Sequence, residues 1–234
     1  SNDSFVVEFD TSGRKHFYKI CTVCNGYDSE ECNPNATGSS YELIIKAGTT
    51  ALPDDCFEYS YNLKSITLPE SLVSIGKYAF YDCTSLEEIV IPENVTTIGN
   101  YAFGGCKELT SIKIPNSVTN LGSGFVRDCT NLTDVTLPSN IKTIPYEAFC
   151  GCKSLTTYSI PTTVKTIGNC AFSNSGLTEI VIPDFVETID DDAFDFCSSL
   201  ESVKIPTSVT NIGGYVFLNC TNLTSIDFEG TVSD

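Results

Sequence analysis

Apolar residues recur in a fixed order along most of the chain, and residues 86–106, LEEIVIPENVTTIGNYAFGGC, show the unit plainly. Leu86, Ile89 and Ile91 precede Pro92, Val95 and Ile98 follow three apart, and Ala102-Phe103 and then Cys106 close the unit. The first group predicts a short strand whose apolar side chains turn inward, ended by a proline that has no N–H to donate to a ladder. Val95 and Ile98 predict a second short extended segment. Gly99 begins the next stretch, and Pro53 and Pro145 stand at the same phase in other copies, which implies φ near −65° and the start of a short helical turn carrying Ala-Phe.

Full copies begin at Leu63, Leu86, Leu109, Leu132, Leu155, Leu177 and Leu200, a spacing of 23 residues and once of 22. A degenerate copy covers about residues 40–62, and a truncated one starts at Leu223. A period of this length marks a solenoid of stacked coils. The predicted fold is an α/β repeat: short parallel β-strands joined by short helical turns over residues 41–234, with residues 1–40 forming an N-terminal β cap. Within the cap, residues 4–10 and 16–23 read as a hairpin across Thr11-Ser12-Gly13-Arg14, and residues 25–40 as a polar loop. The pattern is broken in few places. Phe125-Val126 replaces Ala-Phe, Tyr158 takes an Ile phase, Ser175 stands at a Cys phase, and one residue is missing between Phe172 and Leu177.

Composition narrows the partners. Hydrophobic residues make up 41% and charged residues 18%, enough for a continuous core, while the net charge is −17. That balance argues against nucleic acid and anionic membranes, whose phosphates call for Lys and Arg clusters. No apolar run reaches the ~20 residues that span a bilayer, so no membrane insertion by this segment is expected. The chain has no methionine, which predicts a processed or trimmed product.

The unit Leu-x-x-Ile-x-Ile-Pro-x-x-Val-x-x-Ile-Gly-x-x-Ala-Phe-x-x-Cys resembles the BspA-like, or Treponema pallidum-type, leucine-rich repeat over residues 41–234. Members of that family are typically secreted or surface-attached proteins of host-associated bacteria and some protists, and several are adhesins. The resemblance therefore implies an extracellular interaction module, secreted or at the cell surface, whose partner is an extracellular protein or glycan.

Twelve cysteines divide into two sets. Cys83, Cys106, Cys129, Cys152, Cys197 and Cys220 share one phase. Stacking sets them ~4.8 Å apart with parallel Cβ vectors, which favours a buried thiol column over disulfides. Leucine-rich repeats use Asn or Cys at this turn, in keeping with a structural column. Cys21, Cys24, Cys32 and Cys56 are candidates for cap disulfides, and His16 with Cys21, Cys24 and Cys32 could alternatively hold zinc. Cys150 and Cys170 fall in adjacent copies at different phases. Asp190, Asp191, Asp192 and Asp195 form the densest acidic cluster. They read better as charges at the N-terminus of a helical turn than as a calcium site, so neither cofactor nor metal is expected.

His16 is the single histidine, and no phosphate loop or metal-binding helix is present, so catalysis is not expected. The candidate recognition surface is the set of outward strand positions: Glu88, Val90, Lys113, Asp134, Thr136, Glu179, Val181 and Lys204. Phe185, Phe196 and Leu218, apolar at phases that are otherwise polar, form a candidate apolar patch, and Tyr78, Tyr101 and Tyr215 share a phase near the turn. Sequons at Asn2, Asn35, Asn94, Asn131 and Asn222 matter in a eukaryotic source. Two function classes fit: a binding module that works through the sheet face, or a spacer that displays another domain and has no ligand of its own. A redox- or metal-responsive cap at Cys21 and Cys24 is a third.

Overall fold

The computed structural model describes residues 3–9, 11–21, 26–31 and 40–229, with side chains for 6–9, 11–16 and 40–229. Strands β1 (Asp3–Phe9) and β2 (Lys15–Cys21) pair antiparallel, Val7 opposite Phe17. The segment read as a loop holds a third strand, β3 (Gly26–Glu31), antiparallel to β2, with Tyr27 opposite Ile20. Strand β1 also runs parallel to β4 (Tyr41–Ile45), so the N-terminal strands continue the sheet of the solenoid across its first coil.

Each coil then contributes up to two short strands to two parallel ladders. The first joins Tyr41–Ile45, Leu63–Thr67 and Glu88–Ile89, resumes as Ser111–Lys113 with Asp134–Thr136, and again as Glu179–Val181, Ser202–Ile205 and Ser225–Phe228. The second ladder runs from Ala51–Leu52 to Asn120–Leu121 and from Thr143–Ile144 to Asn211–Ile212, following the strand-ending proline in every coil after the first. Between the ladders lies one continuous core. Its axis is a column of phenylalanines whose rings stack at 5.4 Å for Phe57–Phe80 and Phe80–Phe103, and at 5.0 Å for Phe149–Phe172. Where Phe125-Val126 replaces Ala-Phe, the ring moves one position along the chain and meets Phe149 edge-on, at 5.8 Å and 73°.

The expected helical turns are absent: among the described residues there is no helix. Two residues per coil stop one from forming, because both adopt left-handed backbone. The first column is Asp55, Tyr78, Tyr101, Gly124, Glu147, Cys170, Asp192 and Tyr215, with φ between 53° and 58°. The second is Tyr59, Asp82, Gly105, Asp128, Gly151, Asn174, Phe196 and Asn219, with φ between 54° and 76°. Each non-glycine residue so placed costs about 1–2 kcal/mol. Hydrogen bonds offset that cost by turning outward to the next coil. Tyr78 N donates to Asn100 O (2.9 Å), Phe80 N to Ala102 O (2.7 Å) and Asp82 N to Gly104 O (2.7 Å), while Ala79, Tyr81 and Cys83 close tight turns on the residue three before each. The glycine that opens the turn is not left-handed, and close approach explains it: a Cβ on Gly99 would overlap the backbone nitrogen of Lys77 in the preceding coil. No described helix is long and apolar enough to cross a membrane.

Candidate binding face

Alternation along the first ladder decides which side chains are presented. Ile89, Ile112, Val135, Ile180 and Val203 are buried, and Glu88, Val90, Lys113, Asp134, Thr136, Glu179, Val181 and Lys204 between them are all exposed. Parallel register stacks these into two rows. One contains Ser65, Glu88, Ser111, Asp134, Glu179 and Ser202, and the other Lys113 beside Thr136 and Val181 beside Lys204. Val90 and Val181 are 80% and 78% exposed, so the face carries apolar as well as charged side chains. Lys113 pairs with Glu93 at 2.9 Å and Lys204 with Glu229. No ion pair engages Glu88, Asp134 or Glu179 among the described residues.

The face is not a continuous sheet. The coil of residues 155–160 forms no strand: it meets the next coil through a bridge between Ser159 and Val181 and through Thr178 N, which donates to Thr156 O at 2.9 Å. At its centre Tyr158 occupies the inward Ile phase, its ring 4.9 Å from Phe149 and 5.6 Å from Phe172. Burial raises the Tyr158 pKa, so the phenol stays neutral. A cleft of about 880 Å³ opens here, with Asp134, Thr136, Tyr158, Ser159, Glu179 and Val181 on its walls. Four of the eight predicted face residues thus line one cavity. A second hollow, about 330 Å³, is bordered by Glu88 and Val90.

The six-copy family model "BspA type Leucine rich repeat region" matches residues 50–175 and 124–234. The chain belongs to the BspA-type leucine-rich-repeat family. A leucine-rich repeat protein from Bacteroides ovatus superposes with a TM-score of 0.69 at 23% identity, covering 97% of this chain and 70% of that one. The T. pallidum leucine-rich repeat protein aligns at 0.53 and 23% identity, covering 80% of this chain and 79% of its own. The pneumococcal vaccine antigen PcpA aligns at 0.55 and 20% identity, over 82% of this chain and 62% of its own length. These likenesses show the shared solenoid. Among curated proteins no sequence matches. Leucine-rich-repeat solenoids are typically interaction modules that use an extended surface, and the family points to extracellular or surface proteins.

Phe196 and Leu218 are neighbours in adjacent coils, with Phe196 N donating to Leu218 O at 2.8 Å. Phe185 lies at the corner before Thr188–Ile189, with Lys165 Nζ 5.8 Å above its ring. The cysteine column is buried, each thiol donating to a carbonyl of the preceding coil: Cys83 to Phe57 O (3.2 Å), Cys106 to Phe80 O (3.3 Å), Cys129 to Phe103 O (3.1 Å), Cys152 to Val126 O (3.3 Å), Cys197 to Phe172 O (3.0 Å) and Cys220 to Phe194 O (3.1 Å). Ser175, at the same phase, pairs with Cys197 Sγ at 3.3 Å. Cys56 is a free, buried thiol whose pKa is pushed up to about 12, mainly by burial. Cys24, Cys32 and the Cys21 side chain lie outside the described residues, and with them the cap disulfides and the zinc reading. The acidic cluster has a structural use that needs no helix: Asp191 Oδ1 accepts Gly214 N at 2.6 Å, as Asp54 Oδ1 accepts Lys77 N at 2.7 Å. Among the described residues no three His, Cys, Asp or Glu side chains converge as a metal site.

Two arrangements escaped the sequence. Glu147, nearly buried, accepts hydrogen bonds from Tyr101 Oη and Arg127 Nη1. Burial opposes the Arg127 charge, and the bond and charge of Glu147 overcome it and raise its pKa. The second is a run of five tyrosines over the first coils. Part of its signal was available: Tyr78 and Tyr101 share a phase, and Tyr59, Tyr61 and Tyr81 occupy phases that, apart from Phe196 and Leu218, later coils fill mostly with small or polar residues.

Proposed function

We propose that this chain is an extracellular or surface-displayed adhesion module, and that it holds an extended protein or glycan ligand along its sheet face. The observation that carries the reading is the cleft at Tyr158. Carboxylates on Asp134 and Glu179, hydroxyls on Thr136 and Ser159, and the apolar Val181 all line it. Pockets that mix apolar walls with a few convergent polar groups are the usual form of a ligand site. The rows on either side lengthen the contact, so affinity would come from many weak interactions and from several copies at a cell surface.

The test is binding to an array of extracellular-matrix proteins and glycans with three proteins: the native chain, Asp134→Lys/Glu179→Lys on the face, and Thr166→Lys/Thr188→Lys on the second ladder. The reading expects at least one ligand, lost in the face variant by about tenfold or more, which is 1.4 kcal/mol, and retained in the other. No ligand at all, or equal loss in both variants, leaves the spacer as the better account.

A further inference from the structure

On a different side of the solenoid from the sheet face, five tyrosines form a connected surface over the first coils. Tyr61 meets Tyr59 with ring centroids 6.0 Å apart, Tyr59 meets Tyr81 edge-on at 6.0 Å, Tyr81 meets Tyr78 at 5.3 Å, and Tyr78 stacks on Tyr101 at 5.2 Å and 7°. Tyr59 and Tyr61 are 48% and 53% exposed. The fold does not require these rings. At the phase of Tyr59 the other coils carry Asp82, Gly105, Asp128, Gly151, Asn174, Phe196 and Asn219, and that phase is left-handed, where Asn and Asp are easier to accommodate than an aromatic residue. Thr84 and Thr130 stand at the phase of Tyr61, and Ser173 at that of Tyr81.

The rim is acidic. Asp55 and Glu58 precede Tyr59, and Asp82 follows Tyr81. Carboxylates act on two of the rings: the Tyr59 phenol pKa is raised chiefly by the Glu58 charge, and that of Tyr81 by burial and then by Asp82 and Asp128, with Arg127 acting against them. One ring already holds a cation, with Lys77 Nζ 4.9 Å from the Tyr78 centroid. Tyrosine faces carry negative quadrupole potential, and a planar guanidinium both stacks on them and pairs with flanking carboxylates.

We propose that this tyrosine platform is a second recognition surface and that its ligand is an arginine-bearing peptide segment of a basic partner. Arginine is favoured over lysine because flat stacking on the phenol rings uses its planar head. A neutral glycan would leave the acidic rim without a role.

The experiment is fluorescence anisotropy of labelled hepta-arginine, hepta-lysine and a neutral oligosaccharide against the native chain and Tyr59→Asn/Tyr61→Thr/Tyr81→Ser. That variant uses residues the chain itself places at these phases, and its urea midpoint checks that it folds. Arginine binding should persist at about 0.5 M salt, where attraction between exposed charges is largely screened, and weaken by about tenfold in the variant. Hepta-lysine should be lost at that salt. Unchanged arginine binding in the variant, or arginine and lysine peptides lost together with salt, reduces the effect to the overall charge of −17 and overturns the proposal. Binding of the oligosaccharide alone overturns it too. Asp134→Lys/Glu179→Lys on the sheet face should leave arginine binding in place, so the two surfaces fail separately.

Discussion

Tyr101 Oη donates to Glu147 Oε2 at 3.0 Å across 46 residues, reaching over one whole coil to the second. Gly124 makes this possible. It holds the left-handed place between them in the column, and any Cβ there would collide with the Tyr101 ring. Burial and the bond to Glu147 push the Tyr101 phenol up to about 12, so it remains the donor over the working pH range.

Gly124→Ala is therefore doubly unfavourable. The left-handed backbone alone costs about 1–2 kcal/mol with a Cβ present, and the displaced ring gives up its hydrogen bond, about 1.5–3 kcal/mol where one partner is charged. Tyr101→Phe should lose only the second part. Urea midpoints at constant m measure both, and an alanine variant no less stable than Tyr101→Phe would contradict the steric role assigned to Gly124.

Much of the fold is legible in the sequence because the repeat states each inward position many times: Ile89, Ile112, Ile180 and Val203 all say which side of the strand is buried. The turn is a different case. Gly99 followed by Ala102-Phe103 has helical spacing, and nothing in Tyr101 itself signals φ above zero. The signal lay in the columns, where Gly124 shares a phase with Tyr101, and Gly105 and Gly151 share one with Asp82, Asp128, Asn174 and Asn219. Gly, Asn and Asp together at one phase mark a left-handed residue. Tyr158 was visible as an exception, but the cleft depends on which ladder bonds fail to form, and a list of residues does not contain that.

Alkaline pH should unfold the chain through its thiols. Burial raises Cys56 from 9.0 to about 12 and Cys197 from 9.0 to about 11, so the folded state keeps protons that the unfolded state gives up. With the folded pKa above the unfolded one, stability is fully present below pH 9 and falls as pH rises toward 11–12. Within that window each such thiol contributes a slope of roughly 1.4 kcal/mol per pH unit. Urea titrations at neutral pH and at two points above pH 9 check this. A flat profile would mean the thiols are more hydrated than their burial implies.

Thiol labelling should follow burial. Cys150 and Cys170 are partly exposed, whereas Cys83, Cys106, Cys129, Cys152 and Cys197 are fully buried. Among the described cysteines, pulse alkylation of the folded chain followed by peptide mass mapping should modify Cys150 and Cys170 first, and the column at the rate of unfolding. Within the column, Cys106→Ser should be milder than Cys106→Ala: Ser175 shows that a hydroxyl fits this phase, while alanine removes the bond to Phe80 O and leaves a small void, costing about 1 kcal/mol or more. Column thiols that react as fast as Cys150 would disprove the packing.

Tyr158→Ile tests what opens the cleft. The substitution restores the residue type that Ile66, Ile89, Ile112 and Ile180 supply at the same phase, and removes a ring packed against Phe149 and Phe172. Two aromatic contacts are worth about 0.5–1.5 kcal/mol each, so the variant should be less stable by roughly 1–3 kcal/mol. If the ring is what keeps residues 157–159 out of the ladder, the smaller side chain lets that strand settle between Asp134–Thr136 and Glu179–Val181. Hydrogen exchange should then show new protection at these amides, and any ligand of the cleft should bind more weakly. Amides that stay unprotected would shift the cause to the shortened spacing between Leu155 and Leu177, which offsets the next coil by one residue whatever occupies position 158.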